Sequence, residues 1–554
     1  MTESIGNVIL DYTYYKGKDI YSDGEVEDEL LEIVKSENAE AILKNSSKWP
    51  ILYHLSDMRQ NLLEWYPFEN SDVLEIGSGC GALTGILSDK AASVTCIDLS
   101  KKRSLINAYR NKERTNIKIL VGNFQDIPIT EKYDYITLIG VWEYSGLYVK
   151  HDEPYLYMLK LVKSYLKPNG KLIVAIENKM GLKYLNGAKE DHTGKLYSGM
   201  NDYIGFENVR TFSKPEIEKM LLEVGFSSYC FYYPMPDYKI PECIYTDKFL
   251  PQVSELRYYR NNYDMPRLYN FYAATAYDQV CKDKMFPYFS NSFFFVCGEK
   301  EPEICYVKYN RERKEEFRFS TSIEEKNNKK YVVKRPLNEK AQRRMRDLLY
   351  YEEVWKDMLP NLKYARGAID GKEYVLEFIE GVDLQGYLYR WVHTPEILIS
   401  KVKEFECKFF RPEKKNVVEF HPSKEFECVF GCICPINGES LKYTNIDLSF
   451  ANLKLTLDGE VYNFDYEWVF DFPIPYEFVL WRMYSQLYGK YRVYLRDKVS
   501  CSDFLTELGI SASEMHCYEA MDKHFLTYVS GEKRKEEYLK NYRKSSMMQN
   551  IKII

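Results

Sequence analysis

The 554-residue chain has no apolar run of membrane-span length, and its first residues show no signal-peptide pattern. A cytoplasmic location is therefore expected, with any membrane contact peripheral, at the inner face. An excess of basic charge is also missing. The formal net charge of −6 argues against a general nucleic-acid binder, which normally carries a basic domain. Among 13 cysteines there is no CxxC pair. Most are scattered, among them Cys80, Cys96, Cys230, Cys243, Cys297 and Cys501, and read as reduced, buried thiols. Cys428, Cys432 and Cys434, with His421 upstream, match no standard zinc spacing, so packing is the preferred reading there. No internal repeat, low-complexity segment or sustained heptad is visible.

What is present is ordinary for a globular protein. Charged residues make up 29% and hydrophobic residues 45%, and the length calls for more than one core. Tyrosine is abundant at 50 residues. A ring with a polar tip suits a sugar-facing surface and half-buried packing alike; packing is the simpler reading.

The first half is organised around Val73-Leu74-Glu75-Ile76-Gly77-Ser78-Gly79-Cys80-Gly81. It reads as a buried strand, a glycine loop and a helix beginning near Thr84, with backbone free to approach a ligand and helix N–H groups behind it. Segments Asp72–Ile76, Ser93–Ile97, Ile117–Val121, Tyr133–Ile139 and Gly170–Ile176 alternate with helical stretches. That alternation predicts a parallel, doubly wound α/β sheet whose ligand lies beyond the carboxyl ends of the strands. Upstream, Glu25–Ala41 is amphipathic and residues 49–66 read as one helix entering the core. Glu75 ends the first strand. Asp98 ends the second, where a carboxylate is set to accept hydrogen bonds from ribose hydroxyls; the competing reading is a helix N-cap.

An acid, then GSGCG, then a second acid resembles the class I S-adenosylmethionine-dependent methyltransferases. A dinucleotide GxGxxG loop would place its third glycine at Ala82. The resemblance implies that Glu75, Gly77, Gly79 and Gly81 hold the amino-acid end of S-adenosylmethionine, that Asn123 and Phe124 contact its adenine, and that Ile139–Tyr144 lies beside the methyl group. The segments IENKMGLKYLNGAKEDHTG (176–194) and YYPMPDYKIP (232–241) resemble methyltransferases of bacterial surface-polysaccharide assembly, as do YSDGE (21–25) and YHLSDMRQN (53–61). They imply an acceptor side on which His192, flanked by Glu190 and Asp191, serves as general base or orients a phosphate. A loop histidine satisfied by its acidic neighbours is the bland alternative.

The character changes after a charged linker at 298–303. Ile304–Tyr309, Phe317–Ser322 and Lys329–Arg335 read as strands, Glu339–Lys356 as a helix and Tyr374–Ile379 as a further strand. This order resembles the small lobe of a protein-kinase-like fold. Asp447 and Asn452, spaced as in a kinase catalytic loop, precede Asp465. Phosphoryl transfer to a hydroxyl needs a carboxylate near the acceptor, here Asp447, and oxygen ligands for Mg²⁺, here Asn452 and Asp465. The sequel FDYEW resembles the aminoglycoside-phosphotransferase type. The resemblance implies that Lys334 pairs with ATP phosphates, that Glu352 or Glu353 partners it, and that Glu377 to Ile379 bind adenine. No glycine occurs between Gly298 and Gly367, so the phosphate-covering loop is missing; a non-catalytic glycan- or partner-binding scaffold is the alternative.

As a whole the sequence resembles the bifunctional methyltransferase–kinases that cap bacterial O-antigen chains. The expected organisation is a methyltransferase domain at 1–300, a bilobal kinase-like α+β domain at 301–500 and a helical extension at 501–554, whose basic end reads as a solvated helix. The resemblance implies a polysaccharide or glycolipid acceptor and glycosyltransferases of the same pathway as partners.

Overall fold

The computed structural model describes residues 1–19, 24–36, 38–46, 48–206, 208–258, 269–299, 303–431, 436 and 438–531. The chain divides into two compact units. Among the described residues, one comprises those up to Pro251 and those from 269 to Lys308, the other Gln252–Tyr258 and those from Tyr309 to 531.

In the first unit, strands β1 (Thr2–Ile5) and β2 (Val8–Asp11) form a hairpin. They are followed by β3 (Asp72–Ile76), β4 (Ser93–Asp98), β5 (Ile117–Val121), β6 (Tyr133–Ile139), β7 (Leu166–Glu177), β8 (Tyr229–Met235), β9 (Cys243–Thr246), β10 (Ser292–Cys297) and β11 (Ile304–Tyr309). Their order across the sheet is β1-β2-β5-β4-β3-β6-β7-β10-β8-β9-β11. The alternation of apolar strands and helices yields the expected parallel centre, with β3 between β4 and β6. The sheet is not parallel throughout. Ser292–Cys297, the SFFFVC run, inserts antiparallel beside β7, and β8 pairs antiparallel with it. Every residue of that run is buried, which is why it reads as apolar without alternation.

The helix Val26–Lys35 lies against the helix Lys101–Arg110. Glu27, with no exposed surface, faces Arg103 at 2.7 Å across that contact. The helix expected over 49–66 breaks at Ser56, whose hydroxyl accepts the Met58 N–H; it forms Trp49–Leu55 and a 3₁₀ segment, Asp57–Leu62. The amphipathic stretch from Glu25 likewise ends at Lys35, before a second helix at Ala39–Asn45.

The second unit begins with an antiparallel sheet of β12 (Phe319–Lys326), β13 (Lys329–Pro336), β15 (Gly367–Asp370) and β16 (Glu373–Glu377), with β14 (Lys363–Tyr364) in a separate small sheet. Asn327 and Asn328, both at positive φ, turn the β12–β13 hairpin. Helices Glu339–Met345 and Asp347–Trp355 replace the single expected helix. The remainder is mainly helical, built on Pro395–Phe409 and Tyr476–Leu495.

Three boundaries differ from expectation. Ile304–Tyr309, read as the first strand of the second domain, pairs through Tyr306–Lys308 with β9 of the first unit. Gln252–Tyr258 belongs with the second unit. Helices Cys501–Glu507 and Met515–Ser530 are not an appendage, because Phe504, Met521 and Phe525 are buried in the second unit's core. The basic end of the chain lies outside the described residues, as do Cys432 and Cys434. His421 and Cys428 are exposed. Cys407 and Cys501 are exposed too, so the expectation of buried thiols holds for Cys80, Cys96, Cys230, Cys243 and Cys297 but not for Cys501.

Replacing Glu27 by alanine takes away the carboxylate that Arg103 faces in a dry contact, and is expected to cost about 3 kcal/mol. Urea unfolding followed by far-UV circular dichroism measures this; an unchanged midpoint would show the pair to be energetically idle.

Candidate functional site

The carboxyl ends of the parallel strands open into a cavity of about 450 Å³. Its walls include Glu75, Gly77, Gly79, Asp98, Asn123, Phe124 and His192. The fold thus gathers all but one of the first-unit site residues read from the sequence.

The loop after β3 is fixed from β4. The N–H groups of Gly77 and Ser78 reach the Ile97 carbonyl at 2.7 and 3.2 Å. Gly79 donates its N–H to Asp98 Oδ2 at 2.7 Å, and Ser100 donates to Asp98 Oδ1 at 2.9 Å. The helix cap on Lys101–Arg110 is Ser100, whose hydroxyl accepts the Arg103 N–H, so Asp98 is not the cap itself. Gly77 sits at φ +73°, and a Cβ there would come within 2.3 Å of Val141. Gly79 sits at φ +53° with open space where its Cβ would be, leaving bare backbone along the cavity wall. Gly81 does not line the cavity; a Cβ there would strike Asn107, so this glycine serves the packing of the Lys101–Arg110 helix.

Glu75 accepts the Thr84 hydroxyl at 2.6 Å. Burial pushes its carboxyl up to about 7, against the hydrogen bonds from Thr84 and Cys96. Burial also raises Asp98, with Arg103 and the two backbone N–H groups working the other way. Asn123 is pinned by its own loop: its side chain accepts the Gln125 N–H and donates to the Tyr148 carbonyl at 3.1 Å. Phe124 lies at its side, packed edge-on against Tyr165.

At the other end stands a group that sequence reading caught only in part. His192 Nδ1 lies 3.1 Å from the Tyr144 hydroxyl, and Nε2 lies 3.5 Å from Glu177 Oε2. Burial opposes the charged ring, yet Glu177 holds it up to about 9. A ring that keeps its proton at neutral pH is suited to holding an anion, not to abstracting a proton. Glu177 Oε1 takes the Lys239 ammonium at 2.9 Å and the Tyr238 hydroxyl at 3.2 Å. Burial would raise Glu177, but Lys239 holds it well below the usual carboxylate range. Glu143 is fully buried, and neither of its oxygens has a hydrogen-bond partner among the described residues. Burial, then the charge of Glu177, pushes its carboxyl up to about 8. Both acids were legible: Glu143 lies in IGVWEY, and Glu177 ends β7 much as Glu75 stands one residue before the end of β3.

The second unit has its own polar cluster. Lys334 Nζ pairs with Asp465 Oδ1 at 2.8 Å and Glu467 Oε1 at 2.6 Å. Burial works against the ammonium, but Asp465 and Glu467 hold its pKa above the ordinary value. Asn452 donates to Asp447 Oδ2 at 2.9 Å. Asn445 donates to the Asp465 carbonyl and accepts the Asp447 N–H, bridging the two loops. The expected partners of Lys334 are wrong. Glu352 is engaged by the Gly367 N–H and the Tyr374 hydroxyl, and Glu353 by Lys356. Glu467 takes that place and is also held by Arg313 at 2.6 Å. Glu377 is exposed, with its N–H donated to the Arg366 carbonyl, and Ile379 is half-buried near the core. The Glu377 N–H is therefore already engaged within the fold.

Residues 74–174 match the model of the methyltransferase-domain family. The chain carries a class I S-adenosylmethionine-dependent methyltransferase domain. An uncharacterized methyltransferase of Staphylococcus carnosus is 36% identical to it over 103 residues, covering 18% of this chain and 45% of the relative. The ribosomal RNA small subunit methyltransferase A of Syntrophus aciditrophicus is 28% identical over 87 residues, covering 16% and 29%. The chain thus spans less than half the length of these curated relatives. Among solved structures, the phosphoethanolamine N-methyltransferase 1 of Haemonchus contortus, in complex with phosphoethanolamine and S-adenosylhomocysteine, is 13% identical, with 50% of each chain covered and a TM-score of 0.28. The DhpI–S-adenosylhomocysteine complex is 12% identical, covering 51% of this chain and all of the other, with a TM-score of 0.26. The methyltransferase-domain match covers Glu75, Gly77, Gly79, Asp98, Asn123 and Phe124 and stops three residues short of Glu177.

The raised Glu75 carboxyl gives a pH signature. From the usual value near 4.5 to about 7, the unfolded chain loses this proton while the folded chain keeps it. Its contribution to stability therefore falls as pH rises through that window. Glu75→Gln cannot ionise, so the stability of this variant relative to the unmutated chain is expected to rise between pH 4.5 and 7. Urea midpoints at pH 5 and pH 8 test this, and a pH-independent difference would refute it.

Proposed function

We propose that the protein transfers methyl groups from S-adenosylmethionine to a bacterial surface glycan, at a sugar hydroxyl or a terminal phosphate. The observation that carries the cofactor reading is the placement of Asp98. Its buried carboxylate holds the glycine loop through Gly79 and stands at the cavity wall, one strand away from Asn123 and Phe124. The open backbone at Gly79 fits the amino-acid end of the cofactor, Asp98 its ribose hydroxyls and Phe124 its adenine. When bound, S-adenosylmethionine supplies an electrophilic methyl group. The chain's own part is to position the acceptor against it, which for an anionic phosphate oxygen is most of the work. The acceptor end suits a glycan in its chemistry: Trp49, Tyr53, Tyr144 and Tyr238 offer ring faces, and Arg59, Asp191 and Lys239 offer polar ends.

A second activity, phosphorylation of the glycan before methylation, is favoured by one observation. Lys334 and Asp465 form an ion pair beside an Asp447–Asn452 hydrogen bond, the set a phosphoryl-transfer site uses for phosphates, Mg²⁺ and the acceptor hydroxyl. In this reading Asp447 accepts the hydroxyl proton, and Asn452 and Asp465 hold the metal. The competing reading keeps the second unit as a glycan- or partner-binding scaffold. Glycosyltransferases of the same pathway are the partners that fit either version.

Asp98→Ala is expected to weaken S-adenosylmethionine binding by about 10- to 100-fold, the loss of a charged hydrogen-bonding group. Calorimetry measures it, and equal affinity would remove the ribose assignment. With labelled ATP and a purified glycan, Asp447→Ala is expected to abolish label transfer. Absence of transfer by the unmutated chain would leave the scaffold reading. Mass spectrometry of the glycan product reads methyl and phosphate together.

A further inference from the structure

We propose that Glu143, Glu177 and His192 form a divalent-cation site at the acceptor end of the cavity. Ligand atoms of the three side chains lie within 4.8 Å of one another. Each presents an atom with no hydrogen bond among the described residues, and two of these atoms, His192 Nε2 and Glu177 Oε2, face each other as an ion pair at 3.5 Å. Glu177 is held at Oε1 by Lys239 and Tyr238, and Oε2 has no hydrogen-bond partner. His192 is held at Nδ1 by Tyr144, and Nε2 has none. Glu143, fully buried, has none at either oxygen. A buried carboxylate with both oxygens unpaired is costly unless something else satisfies it.

The pattern is that of metal ligands oriented by outer partners: one atom of His192 and one of Glu177 is fixed from behind, and the other points into the group. The 3.5 Å between His192 Nε2 and Glu177 Oε2 suits two ligands on one cation with bonds of about 2.0–2.2 Å. The ligand atom of Glu143 lies within 4.8 Å of both. Two carboxylates and an imidazole suit Mn²⁺, Fe²⁺ or Zn²⁺, and uptake releases the protons of the imidazole and of the Glu143 carboxyl to solvent. Three protein ligands leave coordination positions for a hydroxyl or phosphate oxygen of the acceptor. That role, though not the binding itself, rests on the methyltransferase reading.

Mn²⁺ alone is the probe, followed by calorimetry and electron paramagnetic resonance on the full chain. Asp465→Asn serves as background, so that the second unit's carboxylate does not contribute. This background is expected to bind one Mn²⁺, and adding Glu143→Gln to weaken binding at least tenfold while the far-UV circular dichroism spectrum persists as a check of folding. Should Glu143→Gln fail to fold, His192→Ala is expected to give the same loss. No Mn²⁺ bound by the background, or unchanged affinity in the folded variants, overturns the site. Mn²⁺ binding without S-adenosylmethionine binding would instead sink the methyltransferase reading and leave the cation site standing.

Discussion

The first unit depends on a carboxylate that accepts two backbone N–H groups from different segments. Asp98 takes Gly79 on one side and Ser100 on the other. The loop after β3 and the helix after β4 are thereby set at one distance from each other. Each bond carries charge and is worth more than a neutral one. Without it, the glycines that give the loop its conformation would also leave it free to move, since glycine loses more backbone freedom on ordering than any other residue. The same group that closes the loop also lines the cavity. The order of the loop and the shape of the cavity wall are therefore coupled at a single side chain.

A parallel sheet delivers its strand ends to one edge, and this chain ends its strands in acids. Glu75 stands one residue before the end of β3, Asp98 ends β4 and Glu177 ends β7. What separates them is their partners. Asp98 has backbone donors, Glu177 has Lys239 and the protonated His192, and Glu75 has a hydroxyl and a thiol. Glu143 has none. One chemical group thus runs from a firmly ionised carboxylate at Glu177 to one that keeps its proton near neutrality at Glu143, and burial alone does not set that order.

Much of this was legible in the sequence because the relevant periods are local. Five apolar runs, a glycine loop and acids at run ends place the cavity without any long-range information. The antiparallel β10 was legible only as an apolar segment, because strand direction depends on a chain path through more than a hundred residues. The Glu177–His192–Tyr144 arrangement was missed for a similar reason. Each member was in view, but only the fold brings residue 144 to residue 192. Ile304–Tyr309 shows the limit from the other side: alternation identifies a strand, and nothing local says which sheet edge it joins.

The lysine of the second unit shows how a motif can be right in its members and wrong in its wiring. The expected partner on the following helix, Glu352, is turned to Tyr374 and Gly367. Its role passes to Glu467, two residues beyond Asp465 on the same loop. The consequence is physical. A lysine paired to a helix is released when that helix moves, whereas Lys334, Asp465 and Glu467 share one loop and one strand. Arg313 holds the far side of Glu467, so the carboxylate does not leave with its lysine.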